Sequence, residues 1–431
     1  MEIIIGLYIL TGLIILVNEY RRIKREKCIS FGTLCFSFFS VLCFIIPGLT
    51  IWMGDISRCK DNSFSYVLLS FLVTLVSLVF AYWGYNKGRK INKINKQSNV
   101  TLRNKNLLLT SFILLIISFF ALYYWSSGYG GIFNVILVGG QIRSSFLQST
   151  NSLMFLKHLI PVSIISSLLM YTDIFINNNR KYLFLRILTF VLSVTVSFIY
   201  IMANDGRMLA GIYLLYFILI SLKYRYEVLH ASVKKILIST TIIIVVIFLI
   251  IIQSETWFAT IRNVEMESSN RSFLDTFLGE FNFIYIGLNT ALYSVWEGNS
   301  FYTLFNDVLN GLFAWLPTSL KPILLEDVWD YNTILINDGG YGQSPTNLPT
   351  QGYYDLGILG VMFISYGFLY LVGSIESRLR GNYTTIGLVF YVVVGFYLAK
   401  GIAYFSMYNI MINMFFVAFS WMLYKYILSK I

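Results

Sequence analysis

Long apolar runs with few charges alternate with short polar connections over most of the chain. Eleven such runs fall near residues 2–17, 30–53, 65–85, 107–127, 156–176, 184–203, 208–222, 236–254, 356–374, 385–404 and 409–428. Several reach the roughly 20 residues that a helix needs to cross a bilayer. The pattern predicts an all-α polytopic membrane protein with about eleven transmembrane helices. The run from Met208 to Leu222 is unusual, because its 15 residues rise only about 23 Å at helical pitch. A hydrocarbon core is about 30 Å thick. Lys223 and Arg225 can snorkel at one end, so Arg207 at the other end is expected to lie below the membrane surface.

One connection breaks the pattern. Between Ser254 and Asp355 lies a stretch too long for an idle loop in a compact protein, and too rich in Phe, Tyr, Trp and Leu to be disordered. Phe273, Leu274, Phe277, Leu278, Phe281, Ile284, Tyr285, Leu288, Leu292 and Val295 recur with a 3.6-residue period, which predicts an amphipathic helix. A second amphipathic stretch runs from Phe301 to Leu316 and ends at Leu316-Pro317. Both suit helices lying on or dipping into a membrane leaflet, although a pair that crossed would leave the topology unchanged. From Asp338 to Gly352 the residues are turn formers throughout. The chain is therefore expected to divide into eight spans over residues 1–254, a large, partly helical external loop over 255–355, and three spans over 356–431.

Composition sharpens this reading. Hydrophobic residues make up 57% of the chain and charged ones only 12%, about half the usual charge of a soluble domain. The mean hydropathy is +0.70. A net charge of +11 would fit nucleic acid, but the positions of the charges argue otherwise. Alternate threading of the eleven runs puts 23 of 32 Lys and Arg on one side, and 16 of 21 acidic residues on the other. The positive-inside rule then sets the chain start and the long loop outside and the chain end in the cytoplasm. The first run is followed, not preceded, by Arg21, Arg22, Lys24, Arg25 and Lys27, and no small-residue cleavage site appears, so it is expected to be a retained span. Cys28, Cys35 and Cys43 fall at or in the second run and only Cys59 faces outward, which leaves no disulfide framework or zinc spacing.

Charged groups at membrane depth are candidates for function. Arg207 follows the tight turn Asn204-Asp205-Gly206, which places it in an externally open cavity or, on the plainer reading, in a closed turn where Asp205 caps the helix and pairs with it. Lys400 sits about one turn below the outer boundary of its span, where it serves a ligand or snorkels. Arg143 is the only basic residue of its outer loop and follows Gly139-Gly140, where backbone can approach a ligand closely. His158 opens the fifth span as an interfacial residue. Among carboxylates, Glu280 lies between Phe277, Phe281 and Phe283, where desolvation would raise its pKa towards that of a general base; its alternative is the solvated face of the helix. Asp355 is placed as the N-cap of the ninth span. No Walker A loop, zinc-helix motif or Asp-x-Asp pair is present, so no metal or cofactor is expected. An enzyme with an external working surface and no nucleotide site needs a donor already activated there, and lipid-linked diphosphate sugars meet that condition.

The segment Gly340-Tyr-Gly-Gln-Ser-Pro-Thr-Asn-Leu-Pro-Thr-Gln-Gly-Tyr-Tyr-Asp-Leu-Gly-Ile-Leu-Gly360 resembles the oligosaccharide repeat-unit polymerases, the Wzy-type O-antigen polymerases. Gly279-Glu280-Phe281, Leu316-Pro317 with Leu320-Lys321-Pro322, and Asp205-Gly206-Arg207 fit the same pattern. The resemblance implies a GT-C-like glycosyltransferase of the bacterial inner (cytoplasmic) membrane. Donor and acceptor would both be undecaprenyl-diphosphate-linked oligosaccharides, with a chain-length-determining membrane protein as a further partner. The departing lipid diphosphate calls for guanidinium or ammonium groups, and Arg207 and Arg143, then Lys400 and Arg271, are assigned to it. Glu280 first, and Asp205 second, are assigned to the proton of the acceptor hydroxyl. The alternatives are an O-antigen ligase, which favours a histidine that this loop lacks, and a flippase or transporter of lipid-linked oligosaccharides, which tends to show paired inverted halves.

Overall fold

The computed structural model describes residues 1–54, 58–90, 106–143, 154–204, 206–232, 278–279, 281–298, 302–316, 328–337, 344–380 and 384–429. Of Arg143 and Arg207 it describes the backbone only. All regular elements among these residues are helices. In chain order they are α1 (Glu2–Glu26), α2 (Phe31–Met53), α3 (Phe64–Arg89), α4 (Leu107–Ser127), α5 (Phe155–Ile176), α6 (Leu183–Ala203), α7 (Arg207–Glu227), α8 (Phe283–Trp296), α9 (Asn306–Leu312), α10 (Val328–Ile336), α11 (Leu348–Leu379), α12 (Thr385–Lys400) and α13 (Met407–Ser429). Two short helices, Ile132–Leu137 and Gly139–Arg143, lie between α4 and α5.

Nine of these helices, α1 to α7 with α11 and α13, are long and apolar enough to cross a membrane, and α12 is a shorter apolar helix. They match ten of the eleven expected runs; the run at 236–254 lies outside the described residues. The protein is thus an all-helical, polytopic membrane protein. Its surface agrees: α1 buries Ile4, Tyr8, Ile15 and Arg22 on one stripe, yet exposes Ile3, Leu7, Leu10, Ile14 and Val17 on the opposite one. A second apolar stripe on a helix already packed on its first is a lipid-facing surface.

The chain forms two compact units that interleave along the sequence. The first comprises Met1–Asn95, Asn270–Arg380 and Val394–Ile412; the second comprises Lys96–Ser269, Gly381–Val393 and Asn413–Ile431.

In the first unit α3 and α11 run parallel in close contact. Gly84 and Gly88, four residues apart on α3, face the backbone at Tyr366 and Tyr370; a Cβ at either would overlap those carbonyl oxygens. Small residues that let backbones approach are the membrane solution to helix association, since lipid provides no hydrophobic drive. Ser77 and Ser365 share a hydrogen bond of 2.7 Å across this seam. In α2, Pro47 has no N–H for the preceding turn, and the helix passes through a π-turn at Val41–Ile45.

The expected amphipathic helix is described from Phe283 as α8, and here the structure corrects the sequence. The helix does not lie on a leaflet: ten of its 14 residues are buried, on every face, against α3, α10 and α11. Its buried Asn289 is satisfied inside the protein, its amide donating to the Asp61 carbonyl at 2.6 Å. In the second stretch, 301–316, the helix is only the seven residues of α9, and Leu309, Leu312, Trp315 and Leu316 are exposed there, as an interfacial element requires.

In the second unit α4, α5 and α6 pack through serines. Ser166 bonds Ser193 at 2.8 Å and the Ser111 carbonyl at 2.8 Å, and Ser163 bonds Ser197 at 2.8 Å. Arg186 of α6 forms a buried ion pair with Asp173 of α5. The structure also revises the length of α7. It runs 21 residues to Glu227, about 31 Å, because Lys223 does not snorkel: it is buried, pairs with Glu227 at 2.6 Å and lies over the Tyr391 ring. Span length therefore does not force Arg207 below the membrane surface.

Candidate functional site

The residues from Ser344 to Gly360 build a polar assembly at the end of the first unit remote from its arginine-rich helix termini. Asn347 is the helix N-cap, its side-chain oxygen accepting from the Thr350 N–H at 2.8 Å with Pro349 in the first turn. This corrects the assignment of the cap to Asp355, eight residues later. The first two turns, Leu348 to Asp355, are buried at every residue. At Leu356 and Gly357 the backbone leaves helical geometry, Gly357 with φ 58° and ψ −141°. Residues 352 and 360 would stand about 12 Å apart in a straight helix. Instead, a Cβ on Gly360 would overlap the Gly352 carbonyl, so the chain doubles back and the first turns pack against the start of the long span. Non-lipid-facing helix of this kind is tolerated at membrane depth where protein covers it.

Asp355 sits at that break, fully buried. Its carboxylate accepts from Thr303 Oγ1 at 2.6 Å, from Gln351 Nε2 at 3.2 and 3.3 Å, and from the Phe305 N–H. The backbone follows, with Thr303 N–H donating to the Tyr354 carbonyl at 2.9 Å and Leu304 N–H to that of Asp355 at 3.1 Å. Leu304 and Phe305 hold left-handed φ of 48° and 63°, which side chains with a Cβ adopt at a cost; the bonds to Asp355 hold them there. Just beyond, buried Asp307 accepts from the Met407 N–H at 2.7 Å and from Ser406 Oγ at 3.1 Å, placing negative charge at the start of α13. Thr346 and Phe405 pair through the Phe405 N–H at 2.7 Å and the Thr346 hydroxyl at 2.7 Å, and Asn332 links Tyr354 to the Ser344 carbonyl.

Lys400 is the nominated cation whose side chain the structure describes. It ends α12, half-buried, two residues before Ile402, whose carbonyl receives the Leu348 N–H at 2.9 Å. Its ammonium lies 5.2 Å from the centroid of the Tyr404 ring and 5.9 Å from that of Tyr397, with no carboxylate partner among the described residues. Aromatic faces hold such a cation weakly, by about 0.5–1 kcal/mol where water reaches it.

In the second unit Trp125, Tyr129, Val135, Ile142, Ile160, Val196 and Ala203 form one apolar cluster. Ile142 precedes Arg143, and Ala203 ends α6 just before the turn to Arg207, so the backbone segments carrying both arginines lie at one end of this unit. The turn is as tight as expected: the Gly206 N–H bonds the Ile201 carbonyl at 3.0 Å and α7 starts at Arg207. Asp205, Arg271 and Glu280 lie outside the described residues. His158 is half-buried near the same cluster, beside Lys157, whose ammonium lies over the Trp125 ring.

No family model matches this chain, and no curated protein or solved structure matches it. Its reading therefore rests on the chemistry of its own residues. The two buried carboxylates of the assembly, Asp355 and Asp307, are held by hydroxyl, amide and backbone donors, an arrangement that fixes chain segments in place. Sequence reasoning missed Asp307 altogether and misplaced the Asn347 cap. The second had a signal, since Asn347-Leu-Pro-Thr350 is an N-cap followed by proline in the first turn.

Proposed function

We propose that this protein joins lipid-linked oligosaccharide repeat units by glycosyl transfer at the external face of the bacterial cytoplasmic membrane, with undecaprenyl-diphosphate-linked oligosaccharides as donor and acceptor. The observation that carries the reading is the way the segment after residue 277 is built into the membrane unit. It is neither a tether nor a separate soluble domain: α8 is buried among the spans, and the chain from Thr346 to Asp355 is buried at their ends beside Lys400, whose ammonium has no carboxylate partner among the described residues. A transporter needs alternating access, whereas a fixed assembly of this kind suits a rigid site for bond chemistry. Exposed Trp296, Tyr302 and Trp315 border the same segments and provide flat faces on which sugars stack.

On this reading the end bearing Arg22, Arg89 and Arg380 faces the cytoplasm and the Asn347 end faces outward. Arg207 and Arg143 first, and Lys400 and Arg271 second, are the candidates for stabilising the diphosphate as its charge grows, and Glu280 first, Asp205 second, for taking the acceptor proton. Loss of one such electrostatic partner costs about 10²–10³ in turnover. Arg207→Ala should therefore remove polymer while the amount of protein in the membrane stays the same, and wild-type chain formation by that variant would take Arg207 out of the mechanism.

A further inference from the structure

At the arginine-rich end of the first unit, α1 and α3 enclose a cavity of about 410 Å³, within the range of small-ligand sites. On α1 its wall carries Arg21, Arg22 and Arg25, one face of the last two turns; on α3 it carries Tyr82, Asn86 and Arg89. Glu19 and Glu26 also line it, but both are engaged. Glu26 holds Arg89 through two bonds, at 2.7 and 2.5 Å, and is approached by Arg22 at 3.3 Å and Arg380 at 3.4 Å; Glu19 accepts from Tyr82 Oη at 2.9 Å. Glu376, the third carboxylate of the cluster, takes the Tyr85 hydroxyl and the Phe31 N–H. Three arginines, Arg22, Arg89 and Arg380, thus meet three glutamates, and Arg21 and Arg25 are left over on the cavity wall.

Two features leave donors available to a ligand. Arg22 pairs with Glu19 at 3.4 Å and with Glu26 at 3.3 Å, yet it is 9% exposed and its Nη2 is buried with no hydrogen-bond partner among the described residues. A buried guanidinium nitrogen left without an acceptor is costly, and an oxyanion relieves that cost. Arg21 and Arg25 are exposed at the rim and form no ion pair with the described residues. Immediately towards the apolar part of these helices, Val17 and Tyr20 on α1 and Val79 and Trp83 on α3 are exposed, so that a molecule with its head in the cavity can run its chains along them.

We infer that this cavity binds a phosphate group, through Arg21, Arg25 and Arg22 with Asn86 beside them, and that the phosphate is carried by the headgroup of an anionic phospholipid in the adjoining leaflet. Planar guanidinium groups match phosphate oxygens in geometry and charge, and basic pockets at helix ends are where lipid headgroups are retained. The site is distinct from the assembly around Asp355 and requires nothing of the reaction proposed for it.

The test uses the full chain in detergent. Phosphatidylglycerol, phosphatidylcholine and inorganic phosphate are titrated separately, with bound lipid read by native mass spectrometry and phosphate by calorimetry. The comparison variant is Arg21→Ala with Arg25→Ala, which leaves the Glu19 and Glu26 pairs intact. The wild type should retain phosphatidylglycerol over phosphatidylcholine, and the variant should retain it at least about tenfold less well. Saturable phosphate binding that the variant loses, without lipid selectivity, also supports the phosphate site but assigns it to a free anion. Equal phosphatidylglycerol retention by both proteins, with no phosphate binding, overturns the inference.

Discussion

At residue scale, Asp355 ties the segment from Thr303 to Phe305 to the membrane span. Replacing it with leucine would leave the Thr303 hydroxyl, the Gln351 amide and the Phe305 N–H without an acceptor, each at about 1–3 kcal/mol. Asp355→Leu is expected to lower the melting temperature in detergent markedly, and Asp355→Asn, which keeps an acceptor oxygen, much less; equal melting for leucine and wild type would show that the carboxylate holds nothing. Asp173→Asn should behave similarly in the second unit, because it strands buried Arg186, and breaking a buried pair costs about 3–5 kcal/mol. Little of this was legible in the sequence. Asp355 looked like a cap because it stands where the ninth apolar run begins, but caps are set by backbone geometry, and Asn347 supplies it. Lys400 was legible, since a cation in an apolar run stands out whatever surrounds it.

At the scale of elements, the α3–α11 seam depends on the absence of side chains at Gly84, Gly88 and Gly373. Gly88→Leu should separate the helices and strongly reduce folded protein in the membrane, as should Gly84→Leu. Gly367→Leu on the same α11 adds a side chain where nothing lies within 4 Å of its Cβ, and should be neutral. Size-exclusion profiles of the three variants check this, and indistinguishable profiles for Gly88→Leu and Gly367→Leu would refute the seam. The spans themselves were readable because length and lack of charge suffice to define them. The burial of α8 was not, because a 3.6-residue period gives the apolar face of a helix but not what covers its polar face. Here that is the loop at Asp61 and the side chain of Asn332. The doubling back at Leu356 was hidden as well, since glycines are common in membrane helices and Gly357 marks the break only by its φ of 58°.

At the scale of the whole molecule, the distribution of charge sets an orientation that labelling can check. In intact cells a membrane-impermeant maleimide should modify Ser127→Cys, whose position ends α4 exposed, and should reach Lys181→Cys only after permeabilisation. The experiment is done with half-buried Cys59 replaced by serine; the other native thiols, Cys28, Cys35 and Cys43, are buried. The opposite labelling pattern would turn the protein over and remove the external site with it. The central claim is that the protein makes a bond between lipid-linked saccharides. The most direct measurement is the purified protein in lipid bilayers mixed with undecaprenyl-diphosphate repeat units, its products separated by size. The account predicts a ladder of multimers that Arg207→Ala does not produce; repeat units returned unchanged in length by the folded wild-type protein would contradict it.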